Sequence, residues 1–83
     1  MVKLRHDSIE KLIADRMFYL RTQLIEVSQL QMAHLLGIKH YQTISKYEIG
    51  ALKPSVRRCK QMIELAEQRG KKIDYRWLRP DIF

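Results

Sequence analysis

Apolar residues recur along this chain at three- and four-residue spacing, in blocks punctuated by glycines and polar turn residues, and no run reads as a strand. The first block, Ile9, Leu12, Ile13, Met17, Leu20 and Leu24, predicts a helix over 8–23, its start capped by Asp7 or Ser8. Ile25, Glu26 and Val27 read as a linker. Ser28 caps a second helix over 29–36, and Gly37 suits the left-handed residue that ends one. Ile38, Lys39 and His40 form a turn before a third helix over 41–49, which Gly50 stops. Pro54 and Ser55 open a fourth helix, with Val56, Cys59, Met62, Ile63 and Ala66 on its buried face and Gly70 at its close. A last short helix over 73–78, capped by Asp74, halts before Pro80. The expected architecture is therefore all-α, five helices in a single domain over residues 1–83.

The second and third helices form the informative pair. Ala33 lies four residues before Gly37 and offers a small side chain where two helices cross closely. Leu30 and Leu35, with Ile44 and Tyr47, are expected to pin the pair to the core. Around those pins lie Tyr41, Gln42, Thr43, Ser45 and Lys46, which all form hydrogen bonds and have no local reason to be buried. This is the pattern of a helix-turn-helix, which sets side chains against base edges in the DNA major groove. Glutamine pairs bidentately with adenine, threonine and serine are adaptable, and lysine reaches guanine or phosphate.

Charge strengthens that reading through its distribution. The chain carries a net charge of +7. Residues 1–38 hold five basic and four acidic side chains, whereas residues 39–60 hold Lys39, Lys46, Lys53, Arg57, Arg58 and Lys60 against Glu48 alone. Arg69, Lys71, Lys72, Arg76 and Arg79 follow. A basic patch that begins at the third helix favours a polyanionic partner, with Lys53 and Arg57 as phosphate contacts and His40 on phosphate or a base.

S-Q-x-x-M-A-x-x-L-G-I followed by T-I-S-K-Y-E-x-G-x-x-x-P-S resembles the Cro/CI (Xre) family of helix-turn-helix phage repressors. The resemblance implies a compact lambda-repressor-like DNA-binding domain. It implies a DNA-backbone contact from Gln29 and base reading from Tyr41, Gln42 and Thr43, with Ser45 and Lys46 following; Glu48 corresponds to a structural glutamate. Arg58-Cys59 with Ile63-Glu64, then Leu78-Arg79-Pro80-Asp81, is similar to the end of YdaS-type Cro-like prophage regulators. The two matches span residues 28–83. The separation of Gly37 from Ile44 is one residue longer than the usual family spacing, so the extra residue either enlarges the turn around Lys39 and His40 or extends the start of helix three.

Other features bear on what the chain is not. The single cysteine, Cys59, precludes an internal disulfide and reads as a small core residue in a reduced, cytoplasmic protein. His6, His34 and His40 lack metal-site spacing, and no nucleophile–base pair or phosphate loop stands out, so neither an enzyme nor a cofactor is expected. Trp77, Leu78, Ile82 and Phe83 place much apolar bulk at one terminus; a dimerisation segment over 71–83 is expected, the other choice being docking onto helices one and four. Taken together, the expectation is a sequence-specific transcriptional regulator. It would be a Cro-like repressor that, as a homodimer, occludes a promoter at a palindromic operator with half-sites ~34 Å apart. The alternative is a DNA-binding antitoxin that also neutralises a toxin.

Overall fold

The computed structural model describes residues 2–82, with side chains from Ile9 onward. The side chains of His6, Asp7 and Ser8, and Phe83, lie outside the described residues. Among those described, the chain is all-helical: α1 Val2–Tyr19, α2 Gln29–Leu36, α3 Gln42–Glu48, α4 Val56–Glu67 and α5 Tyr75–Leu78. α1 packs on α3 and α5, α2 on α3, and α4 on α5. None of the helices is long and apolar enough to cross a membrane.

The first helix is longer than its apolar block. It begins at Val2, so Asp7 and Ser8 fall inside it and not at its start. At its other end α1 runs directly into a π-helical segment, Leu20–Ile25. The expected linker is therefore partly helix. In an α-helix, residues five apart are rotated by about 140° from one another. The wider π turn brings them much closer to one face, and Leu20 and Ile25 are both buried here. Glu26, with φ 62°, ends the segment in the left-handed region.

Ser28 caps α2 as expected. Its hydroxyl accepts from the Gln31 backbone N–H at 3.1 Å, and the Gln31 side chain accepts from the Ser28 N–H at 2.9 Å, a reciprocal capping box. At the C-terminus Gly37 adopts φ 70°, which lets the Ile38 N–H reach the Ala33 carbonyl at 2.8 Å and the Gly37 N–H reach His34. A side chain with Cβ would be strained there.

The face that α2 buries differs from the expected one. Met32, Ala33 and Leu36 enter the core, whereas Leu30 is 66% exposed and Leu35 46%. The reason is angular: Leu30 and Leu35 each lie roughly 110° around the helix from the centre of the Met32–Ala33–Leu36 stripe. Ala33 does provide the small buried contact, and Ile44 and Tyr47 are buried from the α3 side.

The remaining elements follow the pattern closely. Ser55 caps α4 by accepting from the Arg58 N–H, and Asp74 caps α5 by accepting from the Arg76 N–H. Cys59, Met62, Ile63 and Ala66 are buried as expected; Leu65 joins them, and Val56 is half-buried. The common core runs from Ile13, Met17 and Leu20 through Met32 and Ile44 to Cys59, Met62 and Leu78.

Cys59 has no exposed surface, and burial pushes its thiol pKa up to about 11. The neutral thiol is the folded form, so its contribution to stability holds at neutral pH and fades as pH rises from about 8.5 toward that value. Iodoacetamide at pH 8 is expected to modify Cys59 at least roughly a hundredfold more slowly in the native protein than in urea. Comparable rates measured by mass spectrometry would contradict this burial.

Candidate nucleic-acid interface

α3 divides cleanly between inside and outside. Ile44 and Tyr47 point into the core. Gln42 and Lys46 are exposed, Thr43 and Ser45 half-buried. Gln42, Ser45, Lys46 and Ile49 stand at i, i+3, i+4 and i+7, the spacing of one helical stripe, and Ile49 is 72% exposed at its end. Lys39, His40 and Tyr41 precede the stripe and are exposed. The helix starts at Gln42 and not at Tyr41, which is its N-cap, so the turn after Gly37 runs through Ile38, Lys39 and His40. Among the described residues, no polar side chain from Lys39 to Lys46 has an internal hydrogen bond or ion pair, and neither does exposed Arg57.

A buried polar cluster orients this helix. The Arg21 guanidinium, at the start of the π segment, meets Glu48 bidentately: Nε to Oε2 at 2.6 Å and Nη2 to Oε1 at 3.0 Å. Its Nη1 donates to the Val27 carbonyl at 2.9 Å. Gln29 donates Nε2 to Glu48 Oε1 at 3.0 Å. Both charged side chains are almost fully buried, at 11% and 6% exposure. One carboxylate at the end of α3 thereby joins the exit of α1 and the first turn of α2. Gln29, half-buried, spends one amide hydrogen on this cluster and keeps its carbonyl oxygen and second amide hydrogen.

The basic residues fall into two groups. Arg58 donates Nη1 to the Leu36 carbonyl at 3.0 Å and to Gln61 at 2.9 Å, tying the start of α4 to the end of α2. Arg79 is buried; it donates to the Pro54 carbonyl and grips Asp81 with two bonds of 2.9 Å. Those bonds hold the Asp81 carboxyl below the usual carboxylate range. Its stabilising effect is present at neutral pH and is lost as pH falls through the lowered value. Lys53 lies 3.8 Å from Asp81, and Lys60 lies over the Tyr75 ring. Lys39, Lys46 and Arg57 keep free ammonium or guanidinium groups among the described residues. Arg58, the neighbour of Arg57 in the first turn of α4, reaches the carbonyl just before the α2–α3 turn.

The C-terminal apolar residues are distributed differently from the expected interface. Leu78 is fully buried in the chain's own core. Trp77 packs on α1: Arg16 lies 5.1 Å from its ring centroid and donates to its carbonyl, and Tyr19 meets it edge-on at 6.1 Å. Docking onto α1 and α4, the alternative to a dimer contact, accounts for both residues. Ile82 remains 46% exposed. Sequence reasoning also missed the buried role of Arg21, which no motif marks, and of Arg79, which stood there only as part of the Leu78-Arg79-Pro80-Asp81 resemblance.

Among the described residues no group of His, Cys, Asp and Glu converges as metal ligands. Comparison of the chain with family models, curated proteins and solved structures found no match.

Removing one partner of a buried ion pair strands the other charge. Glu48→Ala is expected to cost about 3–5 kcal/mol in urea unfolding. A loss under about 1 kcal/mol would mean that Arg21 finds solvent and that the cluster does not orient α3.

Proposed function

We propose that this chain is a sequence-specific DNA-binding transcriptional regulator. In this reading α2 and α3 form a helix-turn-helix, and α3 enters the major groove. The observation that carries it is the outward stripe of α3. Gln42, Ser45 and Lys46 sit on a helix locked from behind by Ile44, Tyr47 and the Glu48 cluster, and their side chains have no internal partner. Base recognition demands this combination: rigid placement, solvent exposure and unspent donors and acceptors.

Gln42 reads a base edge, Thr43 and Ser45 adapt to its neighbours, and Lys46 reaches guanine or phosphate. Lys39, His40, Tyr41 and Arg57 line the approach and bind the sugar-phosphate backbone, with Lys53 more loosely because Asp81 competes for it. Gln29 serves both sides, bracing Glu48 and offering its remaining polar atoms to a phosphate. The resemblance to Cro-like repressors supports a homodimer on a palindromic operator that blocks polymerase by occupancy. The surface left for a second copy near the C-terminus is Ile82 and the edge of Trp77 beside exposed Tyr19.

Selection of bound sites from random duplex DNA tests this function. Enriched sites with two-fold symmetry and half-sites about one helical turn apart are expected; no enrichment over the input pool would end the proposal. On a selected site, Gln42→Ala should weaken binding by about 1–3 kcal/mol and relax preference at a single position. An equal loss on random DNA would remove Gln42 from base reading. Arg57→Ala should weaken binding to every sequence and flatten the log–log salt slope by about one unit; an unchanged slope would exclude a phosphate contact.

A further inference from the structure

The exposed side of α2 carries an apolar groove that neither the core nor the α3 stripe uses. Val27, Leu30, Gln31, His34 and Leu35 line it, with Arg69 from beyond the end of α4. It is open to solvent along its length and offers about 420 Å³, within the range of concave sites that hold ligands (roughly 300–1,000 Å³). Leu30 and Leu35 are 66% and 46% exposed on a helix of eight residues, although the core already receives Met32, Ala33 and Leu36. Scattered surface leucines need no explanation, but two that border one concave strip with Val27 do.

Its rim carries one cation, Arg69. Arg69 donates one guanidinium nitrogen to the Leu65 carbonyl at 3.3 Å and has other N–H groups to spare. His34 stands exposed between the two leucines on the outer side of α2. No acidic side chain lines the groove. DNA is a poor occupant, because the floor is aliphatic and offers a phosphate backbone little. A second copy of the chain is also poor. Two such grooves face to face would give Arg69 no carboxylate, because no acidic side chain lines either one.

We propose that this groove docks an amphipathic helix from a different protein. The helix presents leucine-like anchors to Val27, Leu30 and Leu35, and a flanking carboxylate to Arg69. Helices are held in this way when apolar side chains at i, i+3, i+4 and i+7 enter a groove and charges at its edge fix the orientation. The site is separate from the α3 stripe, so the proposal stands independently of DNA binding.

The probe is a synthetic 18-residue peptide with leucines at that spacing and glutamates elsewhere. Two controls accompany it: the same peptide with lysine for glutamate, and one of identical composition with the leucines dispersed around the helix. Titrated into the ¹⁵N-labelled full chain, the first peptide is expected to shift Val27, Leu30, His34, Leu35 and Arg69. The dispersed control should bind at least about tenfold more weakly. Leu30→Ser, an exposed change that the fold tolerates, should weaken the first peptide by about tenfold, and Arg69→Glu should reverse the preference toward the lysine peptide. Four results would overturn the proposal. They are shifts confined to α3 (a polyanion mimicking DNA), equal binding of dispersed and ordered leucines, indifference to Leu30→Ser, and concentration-dependent shifts at the groove without peptide, which would assign it to self-association.

Discussion

The contact on which the arrangement depends is the buried pairing of Arg21 with Glu48. It joins residues 27 apart, at the end of the first helical segment and the end of α3, with Gln29 of α2 sharing the same carboxylate. Hydrophobic burial brings these helices together but is indifferent to small rotations and slides. A bidentate guanidinium–carboxylate pair is not, because its planar fork demands one orientation. Two ions this buried repay their desolvation only if their remaining hydrogen bonds are met, and here the Val27 carbonyl and Gln29 amide meet them. The π turn belongs to the same design, since it directs Leu20 and Ile25 to the core while Arg21 faces α3.

A second set of arginines does comparable work at the other end. Arg58 links α4 to the last carbonyl of α2, and Arg79 links the C-terminal turn to the loop before α4 through Pro54. Small domains bury little apolar surface for their length, so such links stabilise disproportionately. The net charge thus overstates what is available to a polyanion. Several cations are committed to carbonyls, carboxylates or rings, and the unpaired Lys39, Lys46 and Arg57 near α3 are the ones that matter for the proposed interface.

Much of this was legible along the chain, and the legible parts are local. Ser28, Gly37, Ser55 and Asp74 announce helix ends because a cap acts through residues three or four away. The buried face of α4 followed from its period. Failures came where the period breaks or where a second surface decides. Ile25 looked like linker because the π turn shifts phase, and the leucines of α2 looked like core because hydrophobicity alone does not say which side of a short helix meets its neighbours. Leu78 looked like interface because α5's resting place on α1 and α4 is set by a loop whose path the residues do not spell out.

By itself, the sequence determined an all-helical chain, the limits of α2 to within its caps, and a third helix with one apolar and one hydrogen-bonding side. Those properties depend on backbone geometry and side-chain periodicity, which act over a few residues. Only the tertiary structure decided which cations are spent internally, that α3 starts at Gln42 and not at Tyr41, and that Leu30 and Leu35 form an outer groove instead of a core contact. Each of those outcomes depends on how separate helices rotate against one another. That rotation is set jointly by core packing and the Arg21–Glu48 pair, neither of which exists until the chain has folded.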